Sequence, residues 1–245
     1  MIPIRDDIPS RTVPVVNVAL IIINVLAFLY EITLGSTGLD VFLRQYAVIP
    51  ARYFAAGYLD QFGLVHHYGM TDLVIPIFTA MFLHGGWVHV GGNMLYLWIF
   101  GDNVEDRVGH GRYLIFYLLC GVLATMAHIM FNPESKMPSL GASGAIAGVL
   151  GAYILLYPRA RVITLIPIFF FIEFIPIPAV VLLGIWFLQQ FFAGAMSLSV
   201  PSAQTGGVAW WAHIGGFLAG MLLVNLFKRR DYFPVERDLW WRDRY

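Results

Sequence analysis

Apolar residues come in long runs separated by short polar or glycine- and proline-containing segments. The first run, from about Pro14 to Leu34, is long enough to cross a hydrocarbon core of roughly 30 Å, which takes about 20 apolar residues. Asn17 and Asn24 within it are seven apart, share a face and are read as packing residues. From Gly35 to about Leu83 the pattern turns mixed and aromatic-rich, with Arg44, Arg52, Asp60, His66, His67 and Asp72. Leu73–Leu83 is apolar but short and interrupted by Pro76, so it is predicted to lie in the interface or dip partway. A second span follows His84–Asn93 and ends near Val104, and a third covers about Tyr113 to Met130. A fourth runs from Ser143 to Tyr157, and the last from about Trp210 to Phe227.

Between the fourth and last spans lies Val162–Met196, long enough for two crossings but broken by Pro167, Glu173, Pro176 and Pro178. If Ser143 and His213 both open spans at the same face, parity allows only one crossing here. Val162–Ala179 is therefore predicted to be an inner-side or re-entrant segment that joins a fifth span near Ala179. The outcome is an all-α polytopic membrane protein with six spans. With both termini inside, only Arg44, Arg52 and Lys136 of the fifteen basic residues fall outside, which fits the positive-inside rule. Residues 1–13 and the charged, Trp-rich stretch after Phe227 are read as short cytoplasmic tails, the latter resting at the membrane surface.

Composition agrees. Apolar residues make up 59% and charged residues 12%, well below the roughly 25% charged of soluble proteins. Zero formal net charge speaks against a nucleic-acid partner. A single cysteine, Cys120 in an apolar run, leaves no disulfide framework and no cysteine-based metal site. No A-x-A-like site follows the first run, so it is read as a retained span. Nothing resembles a transit peptide, and a bacterial plasma membrane is the expected location.

The candidate chemistry sits in Gly141-Ala142-Ser143-Gly144-Ala145, where a lone serine opens an apolar helix. Unpaired backbone N–H groups and the positive helix end favour an alkoxide or oxyanion there. His213 lies about one turn into the last span, and His89 and Asn93, four apart on one helix face, lie near the start of the second. Strongly polar groups at one depth in a membrane are costly and usually functional. Gly144/Gly148 and Gly216/Gly220 form two GxxxG pairs, which let helices approach closely enough for a hydroxyl and an imidazole to meet. Ser143 is then a nucleophile and His213 its general base, with His89, Asn93 and the Ser143 N–H as oxyanion donors. No aspartate stands where it could orient His213, so a dyad without a third member is expected.

G-A-S-G-A at 141–145, A-H-I-G-G at 212–216 and H-G-G-W-x-H-x-x-x-N at 84–93 together resemble the rhomboid family of intramembrane serine proteases. The long stretch after the first span and the Gly101–Gly109 region with Val104-Glu105 fit that family's six-span core. The resemblance covers about residues 14–227 and implies one rhomboid-like membrane domain over 1–245. It implies a Ser143–His213 dyad, an oxyanion hole of His89, Asn93 and Ser143, and a nucleophile turn shaped by Gly141, Ala142 and Gly144. His84 and Glu105 would be structural. It implies transmembrane protein substrates met in the lipid bilayer, and neither cofactor nor metal. Two positions depart: the family's Trp-Arg pair falls at Ile75-Pro76, and the aromatic residue that often stacks on the catalytic histidine is Ala147.

Three rival readings fit the residues less well. A zinc protease would draw on His84, His89 and His213, but a His84/His89 pair five apart diverges by about 140° on a helix. An α/β-hydrolase elbow needs glycine where Ala145 stands. The non-enzyme alternative, a catalytically silent rhomboid-like protein binding transmembrane clients, would be marked by loss of Ser143 or His213, and both are present.

Overall fold

The computed structural model describes residues 1–59, 64–168, 171–198 and 208–229. The chain opens with β1 (Ile2–Asp6), then α1 (Val15–Thr33), α2 (Gly35–Tyr46) and a short ladder of β2 (Tyr58–Leu59) with β3 (Val65–His66). Helix α3 (Met70–Thr79) leads through a 3-10 turn into α4 (Trp87–Val108), followed by α5 (His110–Phe131) and α6 (Ser143–Leu156). Strands β4 (Arg161–Ile168) and β5 (Phe171–Pro178) precede α7 (Ala179–Ser197) and α8 (Trp210–Phe227). Helices α1, α5, α7 and α8 are each long and apolar enough to cross a membrane. The α3 and α4 segments, bent by 77°, pass that test as a pair. Helix α6 has 14 residues, about 21 Å at 1.5 Å per residue. The protein is thus a polytopic helical bundle, and the span limits read from hydropathy fall within a few residues of these helices.

Helix α6 is the hub. All residues from Gly144 to Tyr153 are buried, the mark of a helix surrounded by others. Its small residues let α8 approach backbone to backbone: a β-carbon at Gly216 would fall 2.0 Å from the Gly144 carbonyl oxygen, and one at Gly220 1.9 Å from that of Gly148. Side chain bulk at either position is excluded. Elsewhere α4 anchors α1. The fully buried Glu105 accepts from the backbone N–H of Val16 (3.0 Å) and Asn17 (2.7 Å), capping a helix start that has no side-chain cap of its own. His110 Nδ1 lies 2.5 Å from the same carboxylate. Asn17 does pack: its amide donates to the Leu97 carbonyl and accepts from Tyr113 Oη, each at 2.9 Å.

Two features depart from the all-helical expectation. Val162–Ala179 avoids forming a span, as parity required, but it is a β-hairpin. Strands β4 and β5 pair antiparallel from Arg161↔Pro178 to Ile168↔Phe171, and β1 adds to the free side of β4. Prolines bar a helix here, and β-branched residues such as Val162, Ile163, Thr164, Ile172 and Ile175 favour strands. Pro176 and Pro178 sit on the edge strand, where a missing N–H costs no ladder bond on the outer side. The second departure is the N-terminal segment, which is folded into the bundle and is not a loose tail. Asn103 Nδ2 donates to Asp6 at 2.9 Å, Tyr153 Oη donates to the same carboxylate, Ser10 bonds Asp102 at 2.6 Å, and Thr12 bonds Asp106 at 2.8 Å. Burial pushes the Asp6 carboxyl up to about 7, with the Tyr153 hydrogen bond opposing part of the shift. The expectation for the tail beyond Arg229 lies outside the described residues.

Candidate active site

The site grows from the turn that starts α6, at the end of the bundle away from the sheet. That turn is held from outside. Gly141 N–H donates to the Ala80 carbonyl at 2.8 Å, Val48 and Ser139 exchange backbone bonds at 3.0 and 2.7 Å, and Ala51 N–H donates to Ser135 at 3.0 Å. The long segment after α1 therefore braces the approach to Ser143. Gly141 has φ +128°, a conformation that side chains rarely adopt. Ala142, fully buried, is the N-cap residue of α6 and leaves the first-turn N–H groups without a side-chain cap. At Gly144 a β-carbon would lie 2.7 Å from Ala124 Cβ, so α5 can pack against the helix start.

Ser143 Oγ lies 2.8 Å from His213 Nε2. The close α6–α8 packing described above is what brings them together, because His213 stands on the first turn of α8. On the other edge of the ring, Nδ1 lies 2.7 Å from Oε1 of Gln190, a buried residue of α7. Trp186, one turn before Gln190, has its ring centroid 5.8 Å from that of His213, and Trp210 stands edge-on at 6.3 Å. Ala147 lines a cavity together with Ser143, Trp186 and His213, so α7 and α8 supply the aromatic surroundings that Ala147 does not. The expected dyad thus has a third polar neighbour that sequence reasoning missed. The available signal was a Trp186–Gln190 pair at i, i+4 in a mostly apolar span, obscured by the adjoining Gln189.

His89 and Asn93 complete the group. The backbone N–H of Gly85 donates to His89 Nδ1 at 3.2 Å. An Nδ1 that accepts has no hydrogen of its own, so in the neutral ring the proton is on Nε2. That nitrogen faces the nucleophile turn: a β-carbon on Gly141 would fall 2.8 Å from it and 3.7 Å from Ser143 Oγ. The Asn93 amide nitrogen is buried and finds no acceptor among the described residues. His89, Asn93, Ser143 and His213 all line one cavity of about 430 Å³, whose apolar walls include Tyr96 and Trp186. His84 stays behind this group. Its backbone N–H donates to the buried Glu31 carboxylate at 3.1 and 3.3 Å, and its ring meets that of His89 edge-on at 5.1 Å. Ile75 and Pro76 fall in α3, with Pro76 buried. A hydroxyl, a base on it and convergent donors form a constellation suited to acyl transfer.

Residues 72–230 match the family model described as Rhomboid domain. The chain is 30% identical over 153 residues to Rhomboid protein 1, mitochondrial, of Saccharomyces cerevisiae, covering 60% of this chain and 40% of that protein. It is 45% identical over 76 residues to Rhomboid protease GluP of Bacillus subtilis, covering 31% of this chain and 14% of that protein. It is 28% identical over 167 residues to Rhomboid-like protein 11, chloroplastic, of Arabidopsis thaliana, covering 66% of this chain and 55% of that protein. The chain therefore spans about half or less of the length of these relatives. The mitochondrial and chloroplastic names among them give no support to the bacterial plasma membrane expected from the sequence. The family match takes in α4, α6 and α8, which carry the serine, both histidines and the asparagine, and it extends over well more than half of the chain: this is a member of the rhomboid family.

Proposed function

We propose that this chain is an intramembrane serine endopeptidase. It hydrolyses a peptide bond near the outer end of a transmembrane segment in membrane-anchored proteins. The observation that carries the reading is the 2.8 Å contact of Ser143 Oγ with His213 Nε2 at the wall of a cavity within a membrane bundle. His213 Nε2 takes the Ser143 proton as Oγ attacks the scissile carbonyl, and the tetrahedral oxyanion is met by His89 Nε2–H, the Asn93 amide and the Ser143 N–H. The protonated His213 then gives its proton to the leaving amine, freeing one product and leaving an acyl-serine. Water attacks that ester with His213 again as base, and Ser143 is restored. Gly141, Ala142 and Gly144 keep the turn small, which favours a small residue beside the cut.

Depth supports the same reading. Taking α6 as a short sixth span with its Leu156 end at the inner interface, about 21 Å of helix leaves Ser143 some 10 Å below the outer edge of a roughly 30 Å core. A substrate helix must break its backbone ladder to be cut, and in hydrocarbon each freed group costs several kcal/mol. A shallow cavity opening toward water lowers that cost. Substrates with glycine, proline or polar residues just below the cut therefore unwind and cleave faster than poly-leucine spans. The test uses purified protein in liposomes with a set of tagged model spans. The reading expects cleavage of glycine-containing spans by the wild type and none by Ser143→Ala. Equal cleavage of poly-leucine spans contradicts the unwinding account, and cleavage by Ser143→Ala contradicts the protease assignment. A wild type that binds these spans without cutting any favours the catalytically silent alternative.

A further inference from the structure

We propose that Gln190 is a positioning residue that fixes the tautomer and the orientation of His213. The proposal rests on the protease reading above and adds to it a member from α7. A glutamine amide in a membrane span is costly unless it is bonded. Gln190 is only 7% exposed, and its Oε1 lies 2.7 Å from His213 Nδ1. The neighbouring Gln189 faces outward, so position 190 alone is turned into the bundle.

The chemistry follows from donor and acceptor counting. A neutral imidazole carries one N–H, and a carbonyl oxygen can only accept. With Oε1 against Nδ1, the hydrogen sits on Nδ1 and Nε2 presents its lone pair to Ser143 Oγ at 2.8 Å. The other tautomer would donate Nε2–H to Oγ and could not take its proton. In a serine–histidine–aspartate triad the acid holds the imidazole in this way, and loss of the correct tautomer costs about 10⁴ in turnover. A neutral amide supplies the same orientation without the full charge, so its loss is expected to cost less. Trp186, on the same face of α7 one turn away, limits how far the ring can tilt once the bond is made.

The test compares wild type, Gln190→Met and Gln190→Glu in detergent. Methionine keeps the size and removes the acceptor, whereas glutamate keeps an acceptor oxygen. Three quantities are read: kcat and KM on a model span, and the rate of Ser143 labelling by a fluorophosphonate. Gln190→Met is expected to lower kcat and labelling rate together by about 10–100-fold with KM within twofold, and Gln190→Glu to recover most of the loss. A second measurement reads the wild-type ring itself and needs no Gln190 variant to fold. In ¹⁵N-histidine-labelled protein, with His213→Asn identifying the signal, His213 is expected as the Nδ1–H tautomer. A Gln190→Met protein that labels and cleaves at the wild-type rate, or a wild-type His213 in the Nε2–H form, overturns the role of Gln190 and leaves the protease reading standing. A wild type that neither labels at Ser143 nor cleaves overturns the protease reading itself.

Discussion

His89 Nε2 and Gly141 are so close that a single methyl group on the glycine would lie 2.8 Å from the imidazole nitrogen. The same glycine has φ +128°, so a side chain there is strained by the backbone as well as by the contact. Gly141→Ala is therefore expected to displace both His89 and the turn carrying Ser143. Cleavage should fall by about 100-fold or more, with a stability loss of roughly 1–3 kcal/mol from the strained backbone. Turnover and thermal melting in detergent check this, and activity within threefold of wild type contradicts it.

His89→Ala and Asn93→Ala act on charge that exists only in the transition state. Each is expected to lower turnover by roughly 10–1000-fold while apparent KM stays constant and Ser143 still labels. Steady-state kinetics on a model span separate the two parameters. A raised KM with unchanged turnover would assign these residues to substrate binding.

Packing between α6 and α8 makes a different demand. A β-carbon at Gly216 meets the Gly144 carbonyl oxygen at 2.0 Å, and rigid backbone cannot yield as a flexible side chain can. Gly216→Ala is expected to destabilise by about 2–3 kcal/mol or more and to cost activity through the separation of His213 from Ser143. Gly111 offers a control, since a β-carbon there meets nothing within 4 Å. Gly111→Ala should be neutral or stabilising by up to about 1 kcal/mol. Melting curves of the two variants give the comparison.

Asp6 predicts a pH dependence. Its carboxyl is raised from 3.8 to about 7 by burial, so the folded protein holds this proton more tightly than the unfolded chain. Stability from this group is then present at low pH, declines as pH rises from about 4 to about 7, and levels off above that. Asp6→Asn removes the titrating group and should flatten this part of the profile between pH 5 and 8. Melting temperatures of wild type and variant across that range check the sign, and a wild type that gains stability over it relative to Asp6→Asn contradicts it.

Much of this arrangement can be read from the amino acids, and the remainder has physical reasons for being hidden. The last span, Trp210–Phe227, is legible to the residue because a tryptophan pair and Lys228-Arg229-Arg230 bound a run that is apolar but for His213 and Asn225. Ser143 and His213 stand out because small-residue motifs open their helices, and close packing of small residues is what lets the two meet. Gln190 gives no such signal. It adjoins a second glutamine, and its partner lies 23 residues away on another helix. The β4–β5 hairpin is hidden for another reason: apart from Arg161, Thr164 and Glu173 both strands are apolar, so alternation is lost, and their third partner is β1 near the start of the chain. The half-buried pair of Asp6 and Asp102 is hidden too, because residues so far apart in sequence come together only after β1 docks on β4.

The central claim is that Ser143 is a nucleophile made reactive by His213. A serine-directed fluorophosphonate probe tests it most directly, applied to wild type, Ser143→Ala and His213→Ala at matched folding, with mass spectrometry of the labelled peptide. One adduct is expected on Ser143 in the wild type, none in Ser143→Ala, and a labelling rate reduced by about 1000-fold or more in His213→Ala. Labelling of Ser143→Ala at the wild-type rate, or undiminished labelling in His213→Ala, would contradict it.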